Sequence, residues 1–191
     1  MIIIKNREND PEWRVWHQKL SGSTYKLGLN STGAQDSSAT VFNGQSSTTF
    51  TVGSDPSVSG SGNNIIAYCF KEVKGYSKFG SYTGNGNADG TFVYTGFRPA
   101  WVIIKQINST GDWMILDNKR DTDNGVRHQV YANSTGAESV EGSDRLDFLS
   151  NGIKHRSSGG RANGSSDSYI YMAFAEHPFV TEGTKAAGTA R

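Results

Sequence analysis

A single cysteine, Cys69, rules out an internal disulfide framework in this chain of 191 residues. It stands in the apolar run Ile65 to Val73, where a buried thiol acting as a small hydrophobe is expected. The apolar runs are themselves short. None is long enough to span a bilayer as a helix, and the N-terminus lacks the basic region, long apolar segment and small-residue cleavage site of a secretory signal. A soluble product is expected, with no membrane insertion and no mark for export. An excess of one charge is also missing: 19 Lys and Arg face 18 Asp and Glu, interspersed without a block, for a net charge of +1. That excludes a protein built to hold nucleic acid or an anionic membrane by bulk electrostatics. Proline is scarce, with four residues, and no stretch carries helical periodicity over an ordinary helix length.

What is present is glycine (23 residues), with Ser, Thr and Asn also plentiful and aromatic residues at 11%. Disordered chains lack aromatics, so the polar share belongs to the turns of a folded protein. Rich in turn formers and aromatics and poor in helix formers, the chain is expected to be all-β.

It is also a duplication. Ile3, Ile4, Lys5 and Trp13 fall on Ile103, Ile104, Lys105 and Trp113 at one offset. With small insertions the match continues: Asn30 to Ala34 recurs as Asn133 to Ala137, Asn43-Gly44 as Asn151-Gly152, and Ile66 to Glu72 lines up with Ile170 to Glu176. A spacing this long exceeds a solenoid unit and implies two domain-sized or half-domain-sized units side by side.

In chain order, Met1 to Lys5 reads as a buried strand, and Asn9-Asp10-Pro11 as the turn that ends it. Trp13 to Gln18 and Tyr25 to Leu29 alternate at period two. Thr40 to Phe42 and Thr48 to Val52 are expected to pair through Asn43-Gly44, a hairpin dipeptide, followed by a loop over Gly53 to Asn64 and a strand over Ile65 to Val73. Beyond Lys74-Gly75, Tyr76 to Tyr82 and Thr91 to Phe97 read as a hairpin around Gly84 to Gly90. The first unit has no counterpart of that hairpin. Strands over Trp113 to Asn118, Arg127 to Tyr131, Leu146 to Leu149, Ile153 to Arg156 and Tyr169 to Ala175 complete the second unit. The expected organisation is an incomplete first β-sandwich unit over 1–74, a complete second over 75–179, and a C-terminal tail over 180–191. A sandwich lacking two strands exposes unpaired backbone, so a neighbouring subunit or the tail is expected to cover the gap by strand addition.

Few constellations carry chemistry. A glycosidase on such a sandwich needs two carboxylates on one sheet face. The nearest cluster, Glu138, Glu141, Asp144 and Asp147, lies mostly in a Gly- and Ser-containing loop and reads as solvated. Asp117 to Gly125 offers oxygen ligands, but Lys119 and Arg120 interrupt the calcium-loop pattern and no glutamate closes it; a charged turn with Asp to Arg pairs is expected, and no metal. The histidines His17, His128, His155 and His177 are scattered, and no serine stands in a nucleophile elbow. The paired Trp13 and Trp113 suit packing between sheets. Trp16 has no tryptophan counterpart and is the better surface contact. If a glycan is bound, Trp16, Trp113, Asp117 and Arg120 are the candidate residues, with the indoles stacking on sugar rings.

The segments GYSKFGSYTGNG (Gly75 to Gly86), GFRPAWVIIK (Gly96 to Lys105), DWMILDNKR (Asp112 to Arg120), LDFLSNGI (Leu146 to Ile153), YIYMAFAEHPF (Tyr169 to Phe179) and the closing TKAAGTAR (Thr184 to Arg191) together resemble a domain of bacteriophage virion-associated and tail or fibre proteins, particularly those of marine bacteria. That domain is similar to concanavalin A-like lectin/glucanase sandwiches. The resemblance implies two tandem jelly-roll-like antiparallel β-sandwich units and a place in the virion, assembled in the host cytoplasm. It carries no catalytic motif and calls for no cofactor. The function expected is a structural virion protein, a head or tail fibre or capsid decoration protein, docking on other virion subunits as a homo-oligomer or by strand exchange. The alternative is an adhesin for host surface glycans; a polysaccharide-cleaving enzyme would need a carboxylate pair that is not evident.

Overall fold

The computed structural model describes residues 1–8, 12–121, 123–142 and 145–178. The expected turn at Asn9-Asp10-Pro11, Asp144 of the acidic cluster and the tail 180–191 lie outside the described residues. The protein is all-β, built from several antiparallel sheets.

The first large sheet contains β1 (Ile2–Asn6), β2 (Trp13–Trp16), β3 (Tyr25–Gly28), β4 (Asp36–Ser37) and β7 (Ile65–Cys69), in the order β4-β3-β2-β1-β7. A short pair, β5 (Phe42–Gln45) and β6 (Phe50–Val52), and one helical turn, α1 (Pro56–Ser59), lie between β4 and β7 in the chain. The second large sheet runs β13-β12-β11-β10-β16-β8, from β8 (Ser77–Thr83), β10 (Pro99–Gln106), β11 (Trp113–Asp117), β12 (His128–Tyr131), β13 (Ser139–Val140) and β16 (Ser168–Ala175). A three-stranded sheet, β14-β15-β9, is formed by β9 (Phe92–Tyr94), β14 (Leu146–Leu149) and β15 (Gly152–His155).

Three apolar clusters stack these pieces in four layers. Ile2 and Ile4 of β1 pack with Val41, Phe42 and Val58 of the β5–β6 layer and α1. On the opposite face Met1, Ile3, Val15 and Leu27 meet Phe79, Ile103, Trp113, Ile170 and Met172 of the second large sheet. That sheet's other face, Val102, Ile104, Met114, Leu116, Tyr169 and Tyr171, packs on Val93, Leu146, Phe148 and Ile153 of the three-stranded sheet. Because side chains alternate between faces, a strand covered on both sides must be apolar at consecutive positions. This is why Met1 to Ile4 and Val102 to Ile104 read as unbroken runs.

The duplication reappears as pairing register. Ile2, Ile3, Ile4 and Lys5 pair with Trp16, Val15, Arg14 and Trp13, and 100 positions on, Val102, Ile103, Ile104 and Lys105 pair with Leu116, Ile115, Met114 and Trp113. On the other side of β1, Ile3 pairs with Tyr68 as Ile103 pairs with Met172. The loops repeat too: the Asn30 side-chain oxygen accepts from the Trp13 N–H at 3.1 Å, and Asn133 from the Trp113 N–H at 2.7 Å.

Four expectations are corrected. Asn43-Gly44 lies inside β5, where Gly44 takes φ +140° and the register slips, and the chain reverses at Ser46–Thr49. There the Ser46 N–H donates to the Thr49 carbonyl at 2.8 Å and the Ser46 hydroxyl accepts from the Thr49 N–H at 2.9 Å, so a serine closes this turn. The loop expected over Gly53 to Asn64 contains α1, started by Asp55, whose carboxylate accepts from the Ser57 N–H at 2.9 Å, and by Pro56 in the first turn. Tyr76 to Phe97 is not a hairpin: β8 pairs with β16 and β9 with β15, in different sheets. The Gly84–Gly90 loop crosses between them, anchored on buried Asn163, whose amide donates to the Asn87 and Ser157 carbonyls at 2.8 and 2.9 Å. Finally, Cys69 is exposed, because β7 is the edge of its sheet.

Candidate functional site

The four residues expected from sequence to contact a glycan are not brought to one place. Trp113 is 1% exposed within the cluster between the two large sheets, and its Nε1–H donates to the Gly28 carbonyl at 2.8 Å. A side chain closed on all sides offers no stacking face, so Trp113 is removed from the surface set. Asp117 and Arg120 are spent on each other. The Asp117 carboxylate accepts from Arg120 Nε at 2.7 Å and from the Lys119 and Arg120 N–H groups at 2.9 and 3.0 Å. Burial pushes the Asp117 carboxyl up, but these donors outweigh it and hold the group below its ordinary value. Arg120 also pairs with Glu138. Trp16, in contrast, lies in the wall of a cavity.

Three other acidic residues are likewise paired: Glu141 with Arg145 and Arg161, Asp147 with Arg156 at 2.6 Å, and Asp121 with His128 at 2.5 Å. Among the described residues no group of three or more His, Cys, Asp or Glu could hold a metal ion.

The cavity has a volume of about 460 Å³ and sits at the Ile2, Trp16 and Cys69 ends of β1, β2 and β7. Its apolar wall is Met1, Ile2, Trp16, Phe50, Phe70 and Phe79, and its rim carries Gln18, Gln45, the Ser46–Thr49 turn, Lys71 and Glu72. Two polar atoms of its lining residues, Trp16 Nε1 and Gln45 Oε1, are buried with no hydrogen-bond partner, a condition that buried polar groups seldom tolerate. Alongside runs the edge strand β7. Its Ile66 and Tyr68 are 37% and 43% exposed, an uncommon state for large apolar residues on a sheet edge.

The corresponding place in the second unit holds only a smaller, polar pocket of about 230 Å³, lined by Arg98, Asn118 and Glu176 among others. There β16, the counterpart of β7, is covered by β8 along seven residue pairs, from Ser168↔Thr83 to Phe174↔Ser77. Phe97 and Val93, which precede β10, are buried in the core. The opening in the first unit is thus the place where β8, the crossing loop and β9 lie in the second. Sequence reading identified Trp16 but missed Gln18, Gln45, Phe50, Phe70 and Glu72. The repeat offset held the signal: Gln18 corresponds to Asn118 and Glu72 to Glu176, and those two bind the segment leading into β10, through Asn118 N–H to Ala100 O and Glu176 N–H to Arg98 O, both 2.9 Å.

No curated protein and no solved structure matches the chain. Residues 1–178, both units together, match the model of the family described as a domain of unknown function, DUF7483, and the chain belongs to that family.

Proposed function

We propose that the protein is a structural bacteriophage virion protein, a head or tail fibre or a capsid decoration protein, that docks without covalent chemistry on other virion subunits. The docking role is carried by one observation: among the described residues β7 is the edge strand of its sheet, bearing exposed Ile66 and Tyr68 beside an apolar-walled cavity. A sheet edge of this kind is a template for pairing with another chain. The phage setting rests on the resemblance of Gly75 to Phe179 and of the closing residues. On this reading the chain is two tandem jelly-roll-like units, 1–74 and 75–179, that associate as a homo-oligomer or by strand exchange with a neighbouring subunit. No catalytic step is assigned. The particle is assembled in the host cytoplasm. Electron microscopy of purified particles with an antibody to this chain tests it: label at a fixed place on head or tail is expected, and particles free of label despite expression in the host would overturn it.

A second reading, a glycan-binding adhesin, is favoured by the cavity itself, which sets the Trp16 and Phe50 rings among Gln18, Gln45, Lys71 and Glu72. Aromatic faces bordered by amide and charged groups suit sugar rings. An array of bacterial surface glycans, with reducing ends assayed in parallel, separates the two. Saturable binding lost in Trp16→Ala would establish the adhesin.

A further inference from the structure

We propose that the polar pocket of the second unit binds a small hydroxylated carboxylate of the sugar-acid class. The ligand's carboxylate pairs with Arg98 and Lys119, and one of its hydroxyls donates to Asn118 Oδ1. The site uses none of the residues of the Trp16 cavity and rests on neither reading of function above.

Three places in the chain converge on this pocket: Arg98 just before β10, Asn118, Lys119, Asp121 and Asp123 after β11, and Glu176 after β16. Its volume of about 230 Å³ is several times the roughly 30 Å³ share of one water molecule, so it has room for one small molecule. Part of the lining is already spent. The Glu176 carboxylate accepts from Asn118 Nδ2 at 2.7 Å and pairs with Arg98 Nε at 2.9 Å. The Asp121 carboxylate accepts from the Arg127 and His128 N–H groups, both at 2.9 Å, and lies 2.5 Å from His128 Nδ1. Other groups are unspent. Asn118 Oδ1 is buried with no hydrogen-bond partner. Its orientation is fixed, because turning the amide over would set this oxygen against the Glu176 carboxylate. The side chains of Lys119 and Asp123 form no ion pair or hydrogen bond with a described residue.

This unspent set selects the ligand. A metal ion would meet two cationic side chains, with the Asp121 and Glu176 oxygens already holding donors. Sulfate or phosphate would suit Arg98 and Lys119, but such an anion brings few protons for Asn118 Oδ1 and is repelled by the Asp123 carboxylate. A neutral sugar supplies the protons and leaves both cations without a counter-charge. No aromatic residue lines the pocket, so ring stacking has no part in holding the ligand. A sugar acid supplies both halves: a carboxylate for a guanidinium and an ammonium, and hydroxyls that donate to the amide oxygen and to Asp123. The repeated core does not itself require such a place. The corresponding connection of the first unit, His17 to Thr24, contains no carboxylate.

Calorimetric and NMR titration of the full chain with D-glucuronate tests this, with D-glucose, glycine and sulfate as comparators. Glucuronate is expected to saturate, to bind more tightly than each comparator, and to shift the amide signals of Asn118 to Asn124. Lys119→Ala alters an exposed side chain and should leave the denaturation midpoint in place. It should weaken glucuronate binding by about tenfold or more and leave any glucose binding unchanged. Trp16→Ala should have no effect, which separates this pocket from the glycan reading of the cavity. No saturation by glucuronate would overturn the proposal. So would equal binding of sulfate, glucose or glycine, full affinity in Lys119→Ala, loss of affinity in Trp16→Ala, or shifts confined to residues outside the pocket.

Discussion

The indole N–H of Trp113 donates to the carbonyl of Gly28, 2.8 Å away, a bond from one large sheet to the other. It lies in a cluster to which both units contribute, with Ile3, Val15 and Leu27 on one side and Ile103, Ile170 and Met172 on the other. Neither large sheet has another apolar cover for that face. The two repeats are therefore expected to unfold together, giving a single denaturant transition by fluorescence and circular dichroism alike. Trp113→Ala should cost about 3–5 kcal/mol through the cavity it leaves. Trp113→Phe keeps most of the packing and removes this bond, leaving the Gly28 carbonyl its bond from the Ser31 N–H at 3.3 Å, at a cost of about 0.5–1.5 kcal/mol. Two separated transitions in the unaltered protein would contradict the shared core.

Stability should fall with acid because of two buried histidines. Burial lowers His155 from 6.5 to about 4, and neither ring nitrogen has a partner while the ring stacks 4.9 Å from Tyr82. Burial likewise lowers His17 to about 3; its Nε2 lies 3.2 Å from the Tyr171 carbonyl and its Nδ1 accepts from the Lys19 N–H at 3.1 Å, which fixes the neutral tautomer. The unfolded chain takes up these protons near pH 6.5 and the folded protein does not. The stability they contribute is complete above pH 6.5 and is lost progressively as pH falls, toward about 4 for His155 and about 3 for His17, by roughly a few kcal/mol each. Denaturation midpoints across pH 4 to 8 measure this. His155→Phe should flatten the slope and leave pH 7 stability unchanged or higher, since it removes two unsatisfied nitrogens and keeps the stacking.

Much of this fold is legible in the sequence because the duplication carries register as well as element type. Matching Ile3 to Ile103 and Ile66 to Ile170 already states that β1 lies between β2 and β7 as β10 lies between β11 and β16. Local chemistry was a poorer guide where two signals competed. Asn43-Gly44 has hairpin composition, but the Ser46 hydroxyl closes a better turn three residues on. Cys69 sits in an apolar run, and that run is the edge strand of its sheet among the described residues. The candidate site was visible only through Trp16. Its other walls come from Met1–Ile2, Gln45–Phe50, Cys69–Glu72 and Phe79, separate stretches that only the fold brings together.

Cys69 provides a direct reading of that edge. Its exposure and its place in the cavity wall predict that the native protein titrates with one equivalent of a thiol reagent without denaturant. Reaction only after unfolding would mean that β7 is covered in solution.

The second unit should depend heavily on one buried amide. Asn163 is 1% exposed and ties the crossing loop to the Ser157 backbone. Its Nδ2 donates to Asn85 Oδ1, Asn87 O and Ser157 O at 2.8 to 2.9 Å, and its Oδ1 accepts from the Asn85 N–H at 3.1 Å. Replacing it with alanine leaves several of these groups without partners in a closed space. The expected cost is about 2–4 kcal/mol, from more than one orphaned group. Because the Gly84 and Gly86 N–H groups also bond beside this residue, to the Asp167 and Asn163 carbonyls at 2.9 Å, the damage should be local. Hydrogen exchange in Asn163→Ala should accelerate first over Gly84 to Gly90 and β9, while β1 and β2 stay protected below the global transition. Uniform acceleration through both units would show instead that the crossing loop has no stability of its own to lose.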